Sequence, residues 1–381
     1  LRRADCWRLH RRQDFVNSIS GFKQSEPNIQ INYKQFSYEE YEQSLVDALA
    51  AGTGPDILMI HHTWLAKHRD KLASIPDRSR IKDFKFMTLA EFQFQFVDVA
   101  YQDLAFQNKI YAFPLYVDTL ALFYNKDMLN TAGIAQPPRN WEEFNRAVEI
   151  LTKIDEKGNI NQAGAAVGTA RNINRSTDVL AALMIQNGTQ MTDKTNGSVS
   201  FTRPVNGEQV GENALQYYTD FSNPLKAVYA WNEQQHYSID AFVEERAAMM
   251  FNYSHQIPVL SARYKRLNFA IAPFPQFSEL DVKNYANYWA VGVSAQSKNQ
   301  DAAWRFLTHL TSKEGSMSYL EKTSRPSARR DIIDIQKNDL KLGIFAIQAL
   351  SAKSWFQIDN RAVDQIFADM IDDVNFKRAT V

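Results

Sequence analysis

Apolar and polar positions over residues 29–60 follow first a strand period and then a helix period. Residues 29–33 (IQINY) alternate apolar and polar side chains, as a half-buried strand does. Ser37 and Glu40 then have the spacing of a capping box, which predicts the start of a helix. Three apolar residues share one face of that helix: Tyr41, Leu45 and Leu49. The apolar run 57–60 predicts a short buried strand, so the order is strand, helix, strand.

The same alternation continues along the rest of the chain. Apolar runs predict further strands at 111–124, 247–251, 269–272 and 289–293. Amphipathic stretches predict helices that start at Asn140 and that cover 178–186, 238–246 and 301–310. A hairpin is predicted around residues 157–159 (KGN). Strands that alternate with helices indicate the α/β class.

Length and charge narrow the class of protein. A chain of 381 residues is too long for one ordinary core, which favours two domains. Lys plus Arg and Asp plus Glu both number 43, so no net charge attracts nucleic acid or an anionic membrane. The single cysteine, Cys6, excludes an intrachain disulfide. No apolar run is long enough to predict a membrane span.

Common catalytic and metal-binding motifs are absent from the sequence. It contains no zinc-protease helix, phosphate loop, dinucleotide fingerprint or nucleophile elbow. We expect ordinary roles for His61, His62 and His68, because neighbours at a strand end point to opposite faces. Asp155 begins a weak calcium-loop pattern, but Ala166 stands where that loop needs Glu. The sequence therefore predicts neither a metal nor a cofactor.

Several segments occur in the order found in one family of transport receptors. They are 47–57 (DALAAGTGPDI), 111–144 with its YNKD and PPRNWEEF pieces, 242–250 (FVEERAAMM), 289–293 and 302–312 (AAWRFLTHLTS). Together they resemble the extracellular solute-binding proteins of bacterial ABC importers, of the carbohydrate-binding kind similar to maltose-binding protein. One position departs from the pattern, since Glu245 stands where the family has Gly.

The resemblance implies a periplasmic-binding-protein-like fold of type II, with two discontinuous α/β lobes that close on a ligand. The expected lobes are 1–116 plus 270–322, and 117–269 plus 323–381, with hinge strands in 113–122 and 267–273. The expected partners are a carbohydrate in a cleft between the lobes and the permease subunits in the membrane. The expected location is the periplasm or the extracellular face of the membrane, with the protein either free or lipid-anchored.

Both ends of the chain depart from the family pattern. Residues 1–12 hold five arginines and Cys6, and are unlike the apolar first strand of the family. We expect them to form a solvated or disordered end rather than an arm that binds nucleic acid. At the other end, the family pattern continues into one more amphipathic helix where this chain stops at Val381.

A sugar needs aromatic rings for its C–H faces and hydrogen-bonding side chains for its hydroxyls. Tyr116 and Asp118 lie two apart on a predicted strand and should face one side. Asp118 is flanked by apolar residues, so it is either a ligand contact or a salt-bridged structural acid. Further candidates for the ligand site are Trp64, Tyr253, His255, Trp289 and Trp355. For each of these, a role in the core or in a cap remains the alternative.

The sequence favours a monomeric, non-catalytic carbohydrate receptor that binds no nucleic acid. The second hypothesis keeps the fold but changes the ligand to a polyamine, an anion or a metal chelate. Tyr217 and Tyr218 form the pair that an iron site would use, although they lie in a predicted helix. The third hypothesis is a glycosidase that uses Asp118 with a second carboxylate, which the sequence does not identify.

Trp141 and Trp304 lie on amphipathic stripes and should belong to the core.

Overall fold

The computed structural model describes residues 2–8, 21–76, 84–193 and 197–381. The chain forms two compact units, each built from separate stretches of sequence. Unit 1 comprises Leu1–Asp118, Asn287–Leu350 and Gln357–Asp359, and unit 2 comprises Thr119–Ala286, Ser351–Phe356 and Asn360–Val381.

Strands and short helices alternate through the described residues. The strands are β1 (Arg2–Arg8), β2 (Ile29–Gln35), β3 (Ile57–His61), β4 (Leu72–Ala73), β5 (Ala105–Phe106), β6 (Lys109–Ile110), β7 (Ala112–Pro114), β8 (Asp118–Thr119), β9 (Ala121–Asn125), β10 (Lys153–Ile154), β11 (Ile160–Gln162), β12 (Met249–Asn252), β13 (Phe269–Pro273), β14 (Asn284–Asn287), β15 (Trp289–Ser294) and β16 (Ala352–Lys353). The α-helices are α1 (Tyr38–Ala50), α2 (Leu65–His68), α3 (Leu89–Gln95), α4 (Asp98–Leu104), α5 (Lys126–Thr131), α6 (Trp141–Leu151), α7 (Ser176–Gln186), α8 (Val210–Asp220), α9 (Ser238–Val243), α10 (Gln256–Arg263), α11 (Gln300–Leu310), α12 (Lys313–Thr323), α13 (Arg330–Gln336), α14 (Gly343–Ala349) and α15 (Asn360–Asn375).

Unit 1 is built on a sheet with the strand order β2-β1-β3-β15-β4, and β7 also pairs with β15. Strand β1 runs parallel to β2 and β3, whereas β15 is antiparallel to β3. Strand β3 is buried from Ile57 to Ile60, as expected of a strand covered on both faces. The sheet places the C-terminal end of β3 beside the first residue of β15.

The N-terminal strand corrects one expectation from the sequence. Residues 1–12 were expected to form a solvated or disordered end, but Arg2–Arg8 form β1 and pair with both β2 and β3. Strand pairing uses backbone groups, so a segment rich in arginine can still occupy a central position in a sheet. Cys6 is 1% exposed and belongs to the core. Residues 9–12 lie outside the described part of the chain.

The amphipathic helices of unit 1 bury the predicted faces. Ser37 caps α1 by accepting a hydrogen bond from the backbone N–H of Glu40, which confirms the predicted start of the helix. Tyr41 is fully buried and its hydroxyl donates to the carbonyl of Met59 in β3. Trp304 of α11 is also fully buried, which confirms its predicted place in the core. These contacts hold both helices against the sheet.

Unit 2 contains an antiparallel sheet with the order β12-β9-β13 and a large core. Asn140 caps α6 as predicted, and its side chain accepts a hydrogen bond from the N–H of Glu143. Trp141 is 3% exposed and meets Phe251 and Phe274 with ring centroids 5.7 and 5.3 Å away, which confirms it as a core residue. The predicted hairpin forms between β10 and β11. In this sheet the end of β12 lies beside the start of β9, because Asn252 pairs with Ala121.

The boundaries of the units differ from the predicted lobes in two segments. The chain leaves unit 1 after Asp118, inside the predicted hinge 113–122, but it returns between Ala286 and Asn287. The expectation of a hinge at 267–273 is wrong, because β13 pairs with β9 along its whole length and stays in unit 2. Residues 270–286 therefore belong to unit 2.

Residues 323–350 belong to unit 1 rather than to the lobe predicted for them. Arg330 donates to the Asp98 carboxylate at 2.6 Å, and Phe96 forms a β-bridge with Arg329. Such pairings between residues more than two hundred positions apart leave no local pattern in the sequence, so the predicted boundary at 322 missed them.

Helix α9 is shorter than the predicted helix 238–246. It ends at Val243, and Glu245 adopts a φ of 59°. A left-handed conformation of this kind is costly for a residue with a Cβ atom and natural for glycine. This explains why the family pattern has Gly at a position where this chain has Glu.

Candidate functional site

Unit 1 contains a cluster of five rings, the Trp289 cluster, formed by Tyr38, Tyr41, His61, Trp64 and Trp289. Trp289 opens β15 directly opposite His61, the last residue of β3. The Trp289 ring lies edge-on to Trp64 and to His61, with centroid distances of 5.2 and 5.3 Å. Tyr41 stacks on Trp64 at 6.4 Å. Two sequence-predicted residues, Trp64 and Trp289, are thus brought together.

The rings of this cluster differ in their access to solvent. Trp64 is 3% exposed and Trp289 is 7% exposed, whereas Tyr38 is 51% exposed. Tyr38 meets the Trp289 ring edge-on at 6.1 Å, so it forms the exposed side of the cluster. Sequence reasoning missed Tyr38. Its position directly after the Ser37 cap, on the same helix as Tyr41, was the available signal.

Asp118, Tyr116 and Arg325 form a second group in unit 1. Asp118 is 1% exposed, and its Oδ2 atom lies 3.4 Å from Nη1 of Arg325. The Arg325 guanidinium also lies over the Tyr116 ring, 5.0 Å from its centroid. The predicted strand alternation is wrong here, because Tyr116 lies between β7 and β8 rather than in a strand. Both residues nevertheless meet one guanidinium, which the sequence did not identify.

His61 and His62, at the C-terminal end of β3, contact other side chains of this chain. The rings of His61 and His62 lie 4.3 Å apart, so the expectation that they point to opposite faces is wrong. Strand β3 ends at His61, and His62 begins a 3-10 turn. Nδ1 of His62 lies 3.2 Å from the Asp103 carboxylate, which also accepts from the Tyr288 hydroxyl at 2.7 Å.

His68 and Glu42 form a buried pair in the same unit. Nε2 of His68 lies 3.1 Å from Oε1 of Glu42, and Nζ of Lys67 lies 2.8 Å from the same oxygen. Burial opposes ionisation of Glu42, but the bonds to Lys67 and His68 outweigh it and lower the pKa of Glu42. Burial lowers the pKa of His68. Within the described ranges, no group of three or more His, Cys, Asp or Glu side chains is arranged to hold a metal ion.

Unit 2 places Tyr253 against the start of α7. Tyr253 follows the end of β12 and is 1% exposed. Its hydroxyl donates to Oδ2 of Asp178 at 2.8 Å, and the Arg175 guanidinium lies over its ring at 5.3 Å. Nη1 of Arg175 is 3.9 Å from the same Asp178 oxygen. Burial, followed by the nearby Asp178, raises the pKa of Tyr253 well above its ordinary value.

Two more predicted residues lie in unit 2. His255 stacks on Tyr253, with centroids 6.1 Å apart and an interplanar angle of 21°, so these two candidates come together. Trp355 packs on Phe367 of α15 at 5.7 Å. Its indole N–H is buried and makes no hydrogen bond to the described residues.

Asp364 is a titratable residue of unit 2 that the sequence did not reveal as a candidate. It lies on α15, and Oδ1 accepts a hydrogen bond from the Thr177 hydroxyl at 3.3 Å. Burial, followed by the neighbouring Asp178, raises the pKa of Asp364 to about 7. Its partner is 187 positions away, so no local spacing could have identified it.

The tyrosine pair considered for iron lies within α8. The Tyr217 hydroxyl donates to Asn145 at 2.7 Å, and the Tyr218 hydroxyl donates to the Thr169 carbonyl at 2.8 Å. Burial raises the pKa of both tyrosines, which disfavours the phenolates that would ligate iron. This geometry does not support iron binding by Tyr217 and Tyr218.

The described helices include none that is long and apolar enough to cross a bilayer. The family model for bacterial extracellular solute-binding proteins matches residues 12–317. A maltotriose-binding protein of Pyrococcus abyssi is 25% identical over 294 residues, which are 75% of this chain and 56% of that protein. A maltodextrin-binding protein of Bacillus subtilis is 24% identical over 347 residues, which are 86% of this chain and 74% of that protein.

Solved structures have the same fold. The cyclic α-maltosyl-1,6-maltose binding protein of Arthrobacter globiformis superposes with a TM-score of 0.81 at 17% identity, covering 99% of this chain and 94% of that one. The ordered motifs, the two α/β units and the family match agree. The chain belongs to the bacterial extracellular solute-binding protein family.

Proposed function

We propose that this chain is the substrate-binding receptor of an ABC importer and that it binds a sugar or oligosaccharide for delivery to the permease. The observation that carries the proposal is the contact of one guanidinium, Arg325, with both the Asp118 carboxylate and the Tyr116 ring. Charged hydrogen-bonding groups beside an aromatic ring are what a sugar with polar hydroxyls and apolar C–H faces requires. The maltotriose- and maltodextrin-binding relatives support the same class of ligand.

The arrangement favours this function over the two alternatives. An anion receptor needs cationic groups that can face its ligand. Arg325 instead faces the Asp118 carboxylate and Arg175 faces the Asp178 carboxylate, so both guanidinium groups already have a negatively charged neighbour. A glycosidase needs a pair of carboxyl groups that flank the scissile bond, whereas a guanidinium faces Asp118. We infer that the protein releases its ligand unchanged.

The receptor is proposed to act as a monomer on the outer side of the cytoplasmic membrane. The match to a family of extracellular solute-binding proteins supports this location. Closure of the lobes on the ligand is part of the proposal. A decrease in the radius of gyration on addition of sugar, measured by small-angle X-ray scattering, would support closure. An unchanged radius at saturating sugar would contradict it.

A thermal-shift panel of neutral oligosaccharides, amino sugars, uronic acids and inorganic phosphate tests the class of ligand. A sugar that binds the folded state raises the melting temperature in proportion to its occupancy. Recovery of that sugar unchanged after incubation tests the absence of turnover. Stabilisation by phosphate alone, or no stabilisation by any sugar, would contradict the proposal.

Two substitutions then test the site in unit 1. Asp118→Asn and Trp64→Ala should each weaken sugar binding at least tenfold, because each removes a polar or aromatic contact from the proposed site. Asp70→Asn is the matched control, since the Asp70 side chain is 74% exposed. An anion receptor would instead bind more tightly after Asp118→Asn, which removes a negative charge.

A further inference from the structure

The connection between α12 and α13 carries Arg325, and the side chain of Gln336 holds its backbone. Nε2 of Gln336 donates a hydrogen bond to the Arg325 carbonyl at 3.1 Å, and Oε1 of Gln336 accepts one from the backbone N–H of Ser327 at 2.8 Å. Gln336 is the last residue of α13, so this helix reaches back to residues eleven and nine positions earlier in the chain. One side-chain amide thus bonds to both ends of the tripeptide 325–327.

This pair of hydrogen bonds requires an amide. A carboxylate only accepts hydrogen bonds and an ammonium group only donates them, whereas the Gln336 side chain does both at once. Pro326 lies between the two bonded residues, and its ring restricts its own φ. The tripeptide therefore has a stiff central residue and a hydrogen bond to the same amide on each side.

The same tripeptide is joined to the residues around Asp118. The backbone N–H of Val117 donates to the Pro326 carbonyl at 3.4 Å. Val117 lies between Tyr116 and Asp118, and both of these side chains meet the Arg325 guanidinium. A shift of the Arg325 backbone would therefore move the guanidinium relative to the ring and to the carboxylate.

The backbone of the tripeptide is buried, while the guanidinium keeps access to solvent. Ser327 is fully buried, so water does not replace the partner of its N–H group if the amide is removed. The Arg325 side chain is 17% exposed. A ligand can therefore reach the Arg325 side chain, whose position depends on a backbone that is fixed from behind by α13.

We propose that Gln336 is a positioning residue of the proposed sugar site, whose amide holds the Arg325 backbone so that the guanidinium faces both Asp118 and Tyr116. This inference rests on the proposed function. Gln336 acts through Arg325 and does not touch the sugar. Without the amide, Arg325 must be ordered when the sugar binds, and the cost of that ordering weakens the affinity.

The first arm of the test uses the protein without ligand. Nitrogen NMR of the arginine side chains, with the Arg325 signal identified by its loss in Arg325→Lys, reports how rigidly the guanidinium is held. In Gln336→Met, which keeps the length of the side chain and removes both hydrogen bonds, the order parameter of the Arg325 Nε–H group should fall below about 0.6. An order parameter that stays at the wild-type value overturns the inference whether or not sugars bind.

Gln43→Met is the matched control for both arms. It makes the same chemical change at an exposed glutamine of α1, whose amide bonds to Asp47 on the same helix. The Arg325 order parameter and the sugar affinity should both keep their wild-type values in this variant.

The second arm measures binding by calorimetry, with maltotriose or with the panel sugar that gives the largest thermal shift. Gln336→Met should weaken binding by about three- to tenfold, because two buried hydrogen bonds that hold Arg325 are lost. In protein that already carries Arg325→Met, Gln336→Met should change the affinity by less than about twofold, since no guanidinium remains to be positioned. An equal loss in both backgrounds, or wild-type affinity in Gln336→Met, overturns the inference.

The two arms separate this inference from the proposed function. If Gln336→Met leaves Arg325 rigid and a sugar binds, the receptor function stands and the role of Gln336 fails. If no sugar in the panel stabilises the protein, the proposed function fails, and the role of Gln336 in sugar binding fails with it even where Gln336→Met loosens Arg325.

Discussion

The Arg325 guanidinium lies 3.4 Å from the Asp118 carboxylate inside unit 1, and both side chains are largely buried. The two residues are 207 positions apart, so the contact ties the segment after α12 to the last residue of the first stretch of unit 1. A buried charge pair is costly to break because the remaining charge stays out of water. Removal of one partner should therefore destabilise unit 1 at the point where the chain leaves it.

Arg325→Met tests this role, since Met retains much of the apolar stem and removes the charge. We expect the free energy of unfolding to fall by about 3 kcal/mol, because Asp118 keeps a buried charge without its guanidinium. Urea denaturation measures the change. The double variant with Asp118→Asn should recover part of the loss, because it removes the remaining charge as well. A loss below about 1 kcal/mol would show that the pair contributes little to stability.

Trp289 should be the largest single contributor to the Trp289 cluster. Its ring contacts Tyr38, Tyr41, His61 and Trp64. Trp289→Ala should lower the free energy of unfolding by about 3–5 kcal/mol, because it leaves a cavity among these rings. Trp289→Phe should cost less, since a ring remains. Phe94→Ala is the control, because Phe94 is 82% exposed and its removal should change stability by less than about 0.5 kcal/mol.

Local patterns in the sequence were sufficient for the secondary structure around the site. The capping spacing of Ser37 and the stripe headed by Tyr41 located α1, and the apolar run at 57–60 located β3. Each signal depends on neighbours within a few positions. Helix and strand periods are local properties, so they were predictable from the chain alone.

The polar partners of the candidate site were not predictable in this way. Asp118 was recognised as a buried acid, but its partner Arg325 comes from a distant segment. The hydrogen bond between Asp364 and Thr177 was unpredictable for the same reason, since it also joins two segments that are distant in sequence and meet only in the folded chain. The resemblance to solute-binding proteins supplied the candidate aromatic residues, and it could not supply their contacts.

The left-handed conformation of Glu245 predicts a stabilising substitution. Glu245→Gly should raise the free energy of unfolding by about 0.5–1 kcal/mol, because glycine adopts a φ of 59° without steric cost. The gain is limited because glycine also increases the entropy of the unfolded chain. Glu245→Ala is the matched control and should not stabilise the protein, since it keeps the Cβ atom. Equal stabilisation by Ala and Gly would assign the effect to the lost charge instead.

The buried pair of Glu42 and His68 predicts that stability falls in weak acid. The pKa of His68 is lowered in the folded state, so the unfolded chain binds a proton more readily below about pH 6.5. Stability is therefore lost as the pH falls below that value, with a slope of at most about 1.4 kcal/mol per pH unit from this group. The lowered pKa of Glu42 adds a further loss in the same direction below about pH 4.5.

His68→Gln isolates the contribution of the histidine, because its amide can still donate to Glu42 but does not titrate. Urea denaturation at several values between pH 7.5 and pH 5 should show a shallower loss of stability for this variant than for the wild-type protein. His236→Gln provides the control, since the His236 side chain is 52% exposed and should leave the slope unchanged. A slope that His68→Gln does not reduce would mean that other groups cause the acid sensitivity, such as the half-buried His309, whose pKa is also lowered by partial burial.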